Sequence, residues 1–291
     1  IVVHFIKNGK YEKPFPTQFN KVDFIHDGTR DEEYRIKIRW QLNDVLRSRI
    51  KVVGIDAASR EIFCRPETFG HIYRYARLKG ITGFTYHAGE DFLDIVDGLR
   101  SVDEAILFLK LGDRCRIGHG MALGIDAADY YERRHYTTIL PKQYLLDQCI
   151  WLLMRSKELN VTLDSNIETL LLDKAEDCYN DIGYNLKPFN PNTYWHSMLL
   201  RGNDPEFIYT NKSQTLMTEW ERTANVEDNR LHVAMSDKQA KDLFHDYYYD
   251  DDIKKEGMRL VPLKWKKEIV GVVEDMQQKM RCFVSSKHVG I

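Results

Sequence analysis

The chain has 291 residues, and 43% of them are hydrophobic, which is enough for a sizeable core in one large domain or two smaller ones. The formal net charge of -2 argues against an extended nucleic-acid track, because such a track needs a basic stripe to displace counterions. No apolar run approaches a membrane span and no basic leader precedes an apolar stretch, so we expect neither a transmembrane helix nor a signal peptide.

Residues 1–120 alternate between short apolar segments and helical patterns. We predict strands over 1–6, 52–57, 83–87 and 115–118. Helices are predicted over 32–50, over 66–80 and along an apolar face over 95–109, and 24–30 is predicted to be a loop. The last three strands recur at roughly thirty-residue intervals, which is the length of a βαβ crossover unit. This alternation predicts a parallel α/β sheet.

Residues 121–287 show no strand-end motif and are predicted to be mostly helical. Helices are expected over 141–160 and 264–287, and Ser236 is expected to cap another. A long insertion in a compact fold usually has its own purpose, and aromatic and arginine residues suit interface cores. We therefore expect this region to serve assembly; the alternative is a helical cap that packs only on its own sheet. Its aromatic residues include Trp151, Trp195, Trp220, Trp265 and Tyr247-Tyr248-Tyr249.

The five cysteines are scattered, and none of them forms a C-x-x-C pair. Such usage is typical of reduced thiols, so we expect a cytoplasmic protein without disulfide bonds. The residues are Cys64, Cys115, Cys149, Cys178 and Cys282.

Two of the predicted strands end in similar motifs. Residues 85–90 read T-Y-H-A-G-E and residues 116–120 read R-I-G-H-G. Parallel α/β proteins carry their chemistry at the carboxyl ends of the strands. The motifs place His87 and His119 at such ends, with Glu90 three residues after the first. This arrangement predicts a metal site with an acid–base group.

Three motifs in chain order resemble the adenosine deaminase family. Residues 53–61 resemble its fourth-strand segment G-I-D-L-A-G-x-E, residues 85–90 its fifth-strand T-x-H-A-G-E, and residues 116–120 equal its sixth-strand R-I-G-H-G. The resemblance covers residues 1–120. It implies a (β/α)8 TIM-type barrel that binds Zn²⁺ and hydrolyses the 6-amino group of adenosine or an adenine nucleotide, giving the inosine product and ammonia.

The resemblance also implies roles for individual residues. His87 corresponds to a zinc ligand, Glu90 to the acid that protonates the purine nitrogen N1, and His119 to the residue that orients and deprotonates the attacking water. Ser59 stands where the family usually has a glycine whose backbone touches the purine, so its side chain is expected to crowd the pocket. Asp56 is expected to be structural.

General chemistry supports these roles. Zinc lowers the pKa of a bound water to roughly 7, which supplies hydroxide at neutral pH. The other class of zinc deaminase uses H-x-E with P-C-x-x-C, which this sequence lacks. The remaining histidines without a motif are expected to be structural; they include His4, His26, His71 and His135.

The chain departs from the family pattern in two places. It contains no H-x-H zinc-ligand pair, and the nearest match to the family's D-D-P is Asn203-Asp204-Pro205. That register would pair with Ser165-Asn166 as the seventh-strand signature. We prefer another register, in which 288–291 begin the seventh strand. The chain is then a segment of a longer polypeptide: 1–120 form the central part of the barrel, and 121–287 form a large, mostly helical insertion.

The opening residues 3–7, which read V-H-F-I-K, and an insertion of this length resemble a narrower group, the enlarged deaminase-like proteins of bacterial antiphage defence, including the deaminase subunit of the RADAR system. That resemblance implies a homo-oligomeric shell and an ATPase partner. Two alternatives stay open: deamination of a different adenine compound, such as AMP or adenine, and a catalytically inactive deaminase-like scaffold.

Overall fold

The computed structural model describes residues 1–7, 28–48, 50–62, 64–209, 218, 220, 222 and 229–291. In this part of the chain, four strands form one parallel sheet in sequential order: β1 (Val2–Ile6), β2 (Gly54–Ala58), β3 (Gly83–Ala88) and β4 (Cys115–His119). Helices α1 (Gly28–Arg47), α2 (Gly70–Leu78) and α3 (Ile95–Leu109) lie between them in the chain. The parallel α/β alternation is confirmed. In the described residues β1 and β4 are the two ends of the sheet, so a closed barrel is not formed.

The predicted strands agree with β1–β4 to within two residues. The helices also agree, although α1 begins earlier than predicted. The loop prediction is wrong for residues 28–30, which belong to α1, and residues 24–27 lie outside the described residues. A short 3₁₀ turn, Pro66–Thr68, opens the segment that leads into α2.

Helix α3 shows clear local causes for its start and end. The Asp94 side chain accepts a hydrogen bond from the Val96 amide at 3.0 Å, which satisfies a free donor of the first turn. The helix ends where Lys110 takes the left-handed conformation with φ 53°. Nearly every residue between is buried, including charged ones, so other elements cover this helix on several sides.

The remaining chain is mostly helical, as expected, but it also contains a two-stranded antiparallel sheet that the sequence did not predict. β5 (Thr137–Pro141) pairs with β6 (Leu260–Lys264). Each strand has five residues and its partner lies far along the chain, so no local pattern marks the pair. The helices are α4 (Ala127–Arg133), α5 (Lys142–Glu158), α6 (Ser165–Ile182), α7 (Pro191–Leu200), α8 (Pro205–Tyr209), α9 (Asn229–Ser236), α10 (Lys238–Tyr249), α11 (Asp251–Gly257) and α12 (Ile269–Ser286).

Two predicted helix starts in this region are wrong. The helix expected over 264–287 begins at Ile269, because Lys264 is the last residue of β6. Ser236 ends α9 and does not cap the next helix. Asp237 caps α10 instead, with its side chain accepting a hydrogen bond from the Ala240 amide at 3.1 Å.

A buried ionic network joins α3 to the helical region. Arg155 on α5 contacts Asp103 on α3 at 2.8 Å, and Trp151 Nε1 donates to the same carboxylate at 2.9 Å. Arg100 on α3 contacts Asp147 on α5 at 3.2 Å, and that carboxylate also binds Arg201 at 2.7 Å. We call this the α3 network; its charged members are Arg65, Asp97, Arg100, Asp103, Glu104, Asp147, Arg155 and Arg201.

The last residues of the chain pair with the sheet. Gly290 forms a parallel bridge with Arg116 on the free side of β4. The Gly290 amide donates to the Cys115 carbonyl at 2.9 Å, and the Gly290 carbonyl accepts from the Ile117 amide at 2.8 Å. A strand that follows β4 in the sheet would pair in this way.

The residues of the alternative register, Ser165-Asn166 and Asn203-Asp204-Pro205, do not lie on the parallel sheet. Ser165 and Asn166 open α6, with Asp164 as the cap. The Asp204 carboxylate binds Arg35 at 3.2 Å and the His71 ring at 3.2 Å. Neither pair belongs to a strand, whereas Gly290 pairs with β4. The assignment of 288–291 as the start of a seventh strand stays a prediction.

All five cysteines lie in the described residues, and none of them forms a disulfide bond. No helix in the described ranges is long and apolar enough to cross a membrane.

Candidate active site at the carboxyl edge of the sheet

The sheet register brings the two predicted motifs together. His87 pairs with Gly118 and Ala88 with His119 across β3 and β4. Both strands therefore end at the same level, as parallel strands linked by crossovers do. The imidazole rings of His87 and His119 lie with their centroids 5.1 Å apart at an interplanar angle of 36°.

Gly118 is required for this approach of the two strands. A Cβ atom built on Gly118 would lie 2.0 Å from Cδ2 and 2.5 Å from Nε2 of His87. No side chain fits at these distances, so glycine allows the His87 ring to rest against β4. The glycine of R-I-G-H-G is thereby explained by contact with the histidine of T-Y-H-A-G-E.

Glu90 and His119 form the exposed part of the site. Nε2 of His119 lies 3.4 Å from Oε2 of Glu90, and the two side chains are 51% and 39% exposed. His119 itself takes a left-handed backbone conformation with φ 63°, which is uncommon for a residue other than glycine. The chain therefore turns at His119 and presents its ring to solvent beside the Glu90 carboxyl.

Asp56 lies next to this pair, although the sequence indicated only a structural role for it. Its Oδ2 atom is 2.9 Å from Nδ1 of His4, and its Oδ1 atom is 3.6 Å from Nδ1 of His87. Within the described residues, neither Asp56 Oδ1 nor His87 Nδ1 has a hydrogen-bond partner. We call Asp56, His87, Glu90 and His119, together with His4, the strand-end cluster.

His4 was missed at the sequence level. It has no motif around it, but β1 pairs with β2 in a register that aligns His4 with Asp56. Parallel pairing of the first two predicted strands was the only signal for this contact. Of the other histidines, His71 is buried against Asp204, and His26 lies outside the described residues. His135 sits in the turn between α4 and β5.

Ser59 follows the end of β2 with φ 91°. Glycine adopts this left-handed conformation without strain, whereas a serine pays for it. The backbone at Ser59 therefore has a conformation that favours glycine. The described contacts assign no hydrogen bond to the Ser59 side chain.

Two further charged residues were missed and lie beneath the cluster. Glu61 and Lys7 are both buried, and Lys7 is 2% exposed. Burial lowers the pKa of Lys7 to about 8, although the nearby Glu61 and Asp56 charges oppose this shift. Glu61 is the last residue of the first motif, which was the available signal. Lys7 ends the V-H-F-I-K segment of the narrower resemblance, but that resemblance gave it no role.

The strand-end cluster fits only in part the zinc ion that the resemblance implies. His87 fits one ligand position, because it offers an imidazole at a strand end with an unpartnered Nδ1 beside a carboxylate, as metal-binding histidines commonly have. In the described part of the chain, no group of three or more His, Cys, Asp or Glu side chains is arranged to hold a metal ion. The fit is therefore for one ligand, not for a complete set.

No protein-family model matches the chain, and the search of curated proteins gave no match. A function for this chain is therefore inferred from the motifs and from the geometry of the strand-end cluster.

Proposed function

We propose that this chain carries part of the active site of a zinc-dependent hydrolase that deaminates adenosine or an adenine nucleotide to the inosine product and ammonia. The observation that carries the proposal is the convergence of His87, Glu90 and His119 at one edge of a parallel sheet. Chain order, strand register and the roles implied by the motifs all agree on these three residues.

The proposed acid is Glu90. Protonation of purine N1 by its carboxyl group makes the neighbouring ring carbon a better electrophile, and general acid catalysis of this kind contributes typically 10²–10⁴-fold. Glu90 follows the β3 end directly, so its position depends on the backbone turn at Gly89, which has φ 72°.

The proposed base is His119, which would take a proton from the water that attacks the ring. It lies beside Glu90, so proton donor and proton acceptor occupy one side of the site. The amino group leaves as ammonia, and one water is consumed for each inosine product formed.

His87 is the proposed zinc ligand in this chain, with Asp56 orienting its ring through the Nδ1 side. When bound, zinc would lower the pKa of water to roughly 7 and so supply hydroxide at neutral pH. The completed barrel is likewise part of the proposal, with the described sheet as four of its strands.

The test uses the full chain supplied with zinc and a panel of adenosine, AMP, ATP and adenine. We expect a loss of absorbance at the adenine band with stoichiometric ammonia release for at least one compound. Zinc-replete protein that turns over none of them would overturn the enzyme proposal in favour of a catalytically inactive scaffold.

Assembly into a homo-oligomeric shell, an ATPase partner and a role in antiphage defence follow only from the narrower resemblance, and they stay predictions. The mass of the purified chain by light scattering tests the first of them.

A further inference from the structure

The backbone of residues 87–90 forms hydrogen bonds with two buried side chains that follow the ends of other strands. Lys7 follows β1 and Glu61 follows β2, so both reach the carboxyl edge beneath β3. Neither residue has a part in the proposed chemistry. Burial of an ammonium and a carboxylate is costly unless both are well bonded, so their contacts define what they do.

Glu61 binds two consecutive amides of the turn that carries the proposed acid. Its Oε2 atom accepts from the Gly89 amide at 2.8 Å, and its Oε1 atom accepts from the Glu90 amide at 3.0 Å. Ser101 Oγ adds a third hydrogen bond at 3.3 Å. A carboxylate that accepts from two adjacent amides fixes the direction of the backbone at both residues.

Lys7 holds the other end of the same segment. Its Nζ atom donates to the His87 carbonyl oxygen and lies 4.0 Å from the centroid of the Tyr86 ring. Its own amide donates to the Ala58 carbonyl at 2.8 Å, which ties β1 to β2 at this level. Lys7 therefore bonds the residue that carries the proposed metal ligand, and Glu61 bonds the residue that carries the proposed acid.

We propose that Lys7 and Glu61 are positioning residues that together clamp the backbone of 87–90 and so fix the Glu90 carboxyl and the His87 ring relative to His119. The inference rests on the proposed function for its catalytic part. Gly89 has no side chain and a left-handed φ of 72°, so the turn has little rigidity of its own. The Glu90 side chain is 39% exposed, so its direction depends strongly on the backbone that carries it.

The catalytic arm of the test compares Glu61→Gln and Lys7→Met in the full chain supplied with zinc. The amide group of Gln places a donor against one of two backbone donors, and Met keeps the length of the lysine stem without its charge. A displacement of about 1 Å in a catalytic group costs on the order of 10²-fold, so we expect kcat to fall roughly 10- to 100-fold while KM changes by only a few fold. Lys7→Arg keeps charge and donor and should restore most of kcat.

The structural arm measures hydrogen exchange in the peptide that contains 87–92. Exchange should become faster in Glu61→Gln and Lys7→Met and stay unchanged in a matched control, Lys254→Met. Lys254 is also buried, with its Nζ atom 2.9 Å from Asp251, but it lies on α11 outside the strand-end cluster. If Lys7→Met does not fold, Glu61→Gln alone still tests the clamp.

The outcomes separate the two proposals. Unchanged exchange in both variants overturns the clamp, and faster exchange with unchanged kcat overturns its catalytic part. Faster exchange in a protein whose wild type deaminates nothing supports the clamp and removes the proposed function. A double variant whose loss in kcat is smaller than the product of the two single losses supports joint action of Lys7 and Glu61 on one segment.

Discussion

The strand-end cluster and the α3 network both contain acidic side chains, but these face histidines in the cluster and arginines in the network, and they differ in how many bonds each carboxylate makes. In the α3 network, Asp147 accepts hydrogen bonds from Arg100, Arg201, Tyr194 and Gln143, and it is fully buried. In the strand-end cluster, the Glu90 carboxyl group has one ion-pair contact among the described residues, to the half-exposed His119.

This difference separates a structural set of charges from one that can receive a ligand. Burial alone would raise the pKa of Asp147, but Arg201 and Arg100 outweigh it and lower that pKa to about 2, so this carboxylate stays ionised and occupied. The cluster instead keeps open hydrogen-bonding positions on Asp56 and His87. Exposure adds to this difference, because His119 and Glu90 lie partly open to solvent whereas Asp147 does not.

The largest effect is expected from substitutions in the strand-end cluster. Glu90→Gln keeps the shape of the side chain but cannot deliver a proton, so deaminase activity should fall by about 10²-fold or more. Zinc content and the free energy of unfolding should stay close to wild type. His87→Ala is the companion variant and should lose metal. Rates near wild type in both variants, with zinc retained, would show that the roles are assigned wrongly.

The second effect is a loss of stability, expected from a substitution in the α3 network. Asp147→Ala leaves Arg100 and Arg201 without their shared carboxylate in a buried site, and removal of one partner of a buried ion pair costs about 3–5 kcal/mol. Urea unfolding measures the loss. Asp129→Ala is the control, because its partner Arg133 is exposed and such pairs contribute about 0–1 kcal/mol. Equal losses in the two variants would contradict the distinction.

The third effect concerns a buried carboxyl that is only partly bonded. Glu67 receives one hydrogen bond, from Tyr247 Oη at 3.2 Å, and its Oε2 atom has no partner among the described residues. Burial raises the pKa of Glu67 to about 7, against the opposing charge of Arg201. Between the ordinary pKa of 4.5 and about 7 the folded state keeps a proton that the unfolded state has lost, so stability falls as pH rises through this range.

Glu67→Gln should remove this pH dependence. Gln stays neutral and can still accept from Tyr247, so the variant should gain on the order of 1–3 kcal/mol over wild type at pH 8 and much less at pH 5. Thermal unfolding at both pH values measures the difference. A gain of the same size at pH 5 and pH 8 would mean that ionisation of Glu67 is not the cause.

The smallest effect is expected from relief of backbone strain at Ser59, at the end of β2. Ser59→Gly relieves a left-handed backbone that costs serine roughly 1 kcal/mol, offset in part by the greater freedom of glycine in the unfolded chain. Stability should rise by up to about 1 kcal/mol. The same change at Ser285, an exposed position in α12, should instead lose about 0.5 kcal/mol. If both changes destabilise equally, the backbone at Ser59 is not strained.

The sequence predicted the strand ends well because periodicity and glycine spacing are local. Strands β1–β4, helix α3 and the meeting of His87, Glu90 and His119 all followed from patterns within short windows. The contacts of His4 and Lys7 could not be found in this way, since each residue acts through a neighbouring strand and the V-H-F-I-K segment assigned neither of them a role. Ser236 was wrongly predicted as a cap because Asp237, one residue later, is an equally good cap.

The helical region was harder to predict from the sequence, because its contacts also join segments that are distant along the chain. The β5–β6 pair joins segments that are distant in sequence, so neither five-residue strand carries a signal for its partner. Nothing in the local patterns shows that Trp151 and Arg155 on α5 bind Asp103 on α3. The α3 network is a property of the folded chain and not of any single segment.

The α3 network also affects the order of events while the protein is being synthesised. Asp103 and Glu104 leave the ribosome well before Arg155, and Asp147 leaves before Arg201, which neutralises it. At roughly 5–20 residues per second, the interval between residue 104 and residue 201 lasts on the order of 5–20 s. During this time Asp97 and Glu104 already have Arg65 and Arg100 as partners, whereas Asp103 has no arginine until Arg155 is made. The α3 network is therefore complete only after residue 201 has emerged.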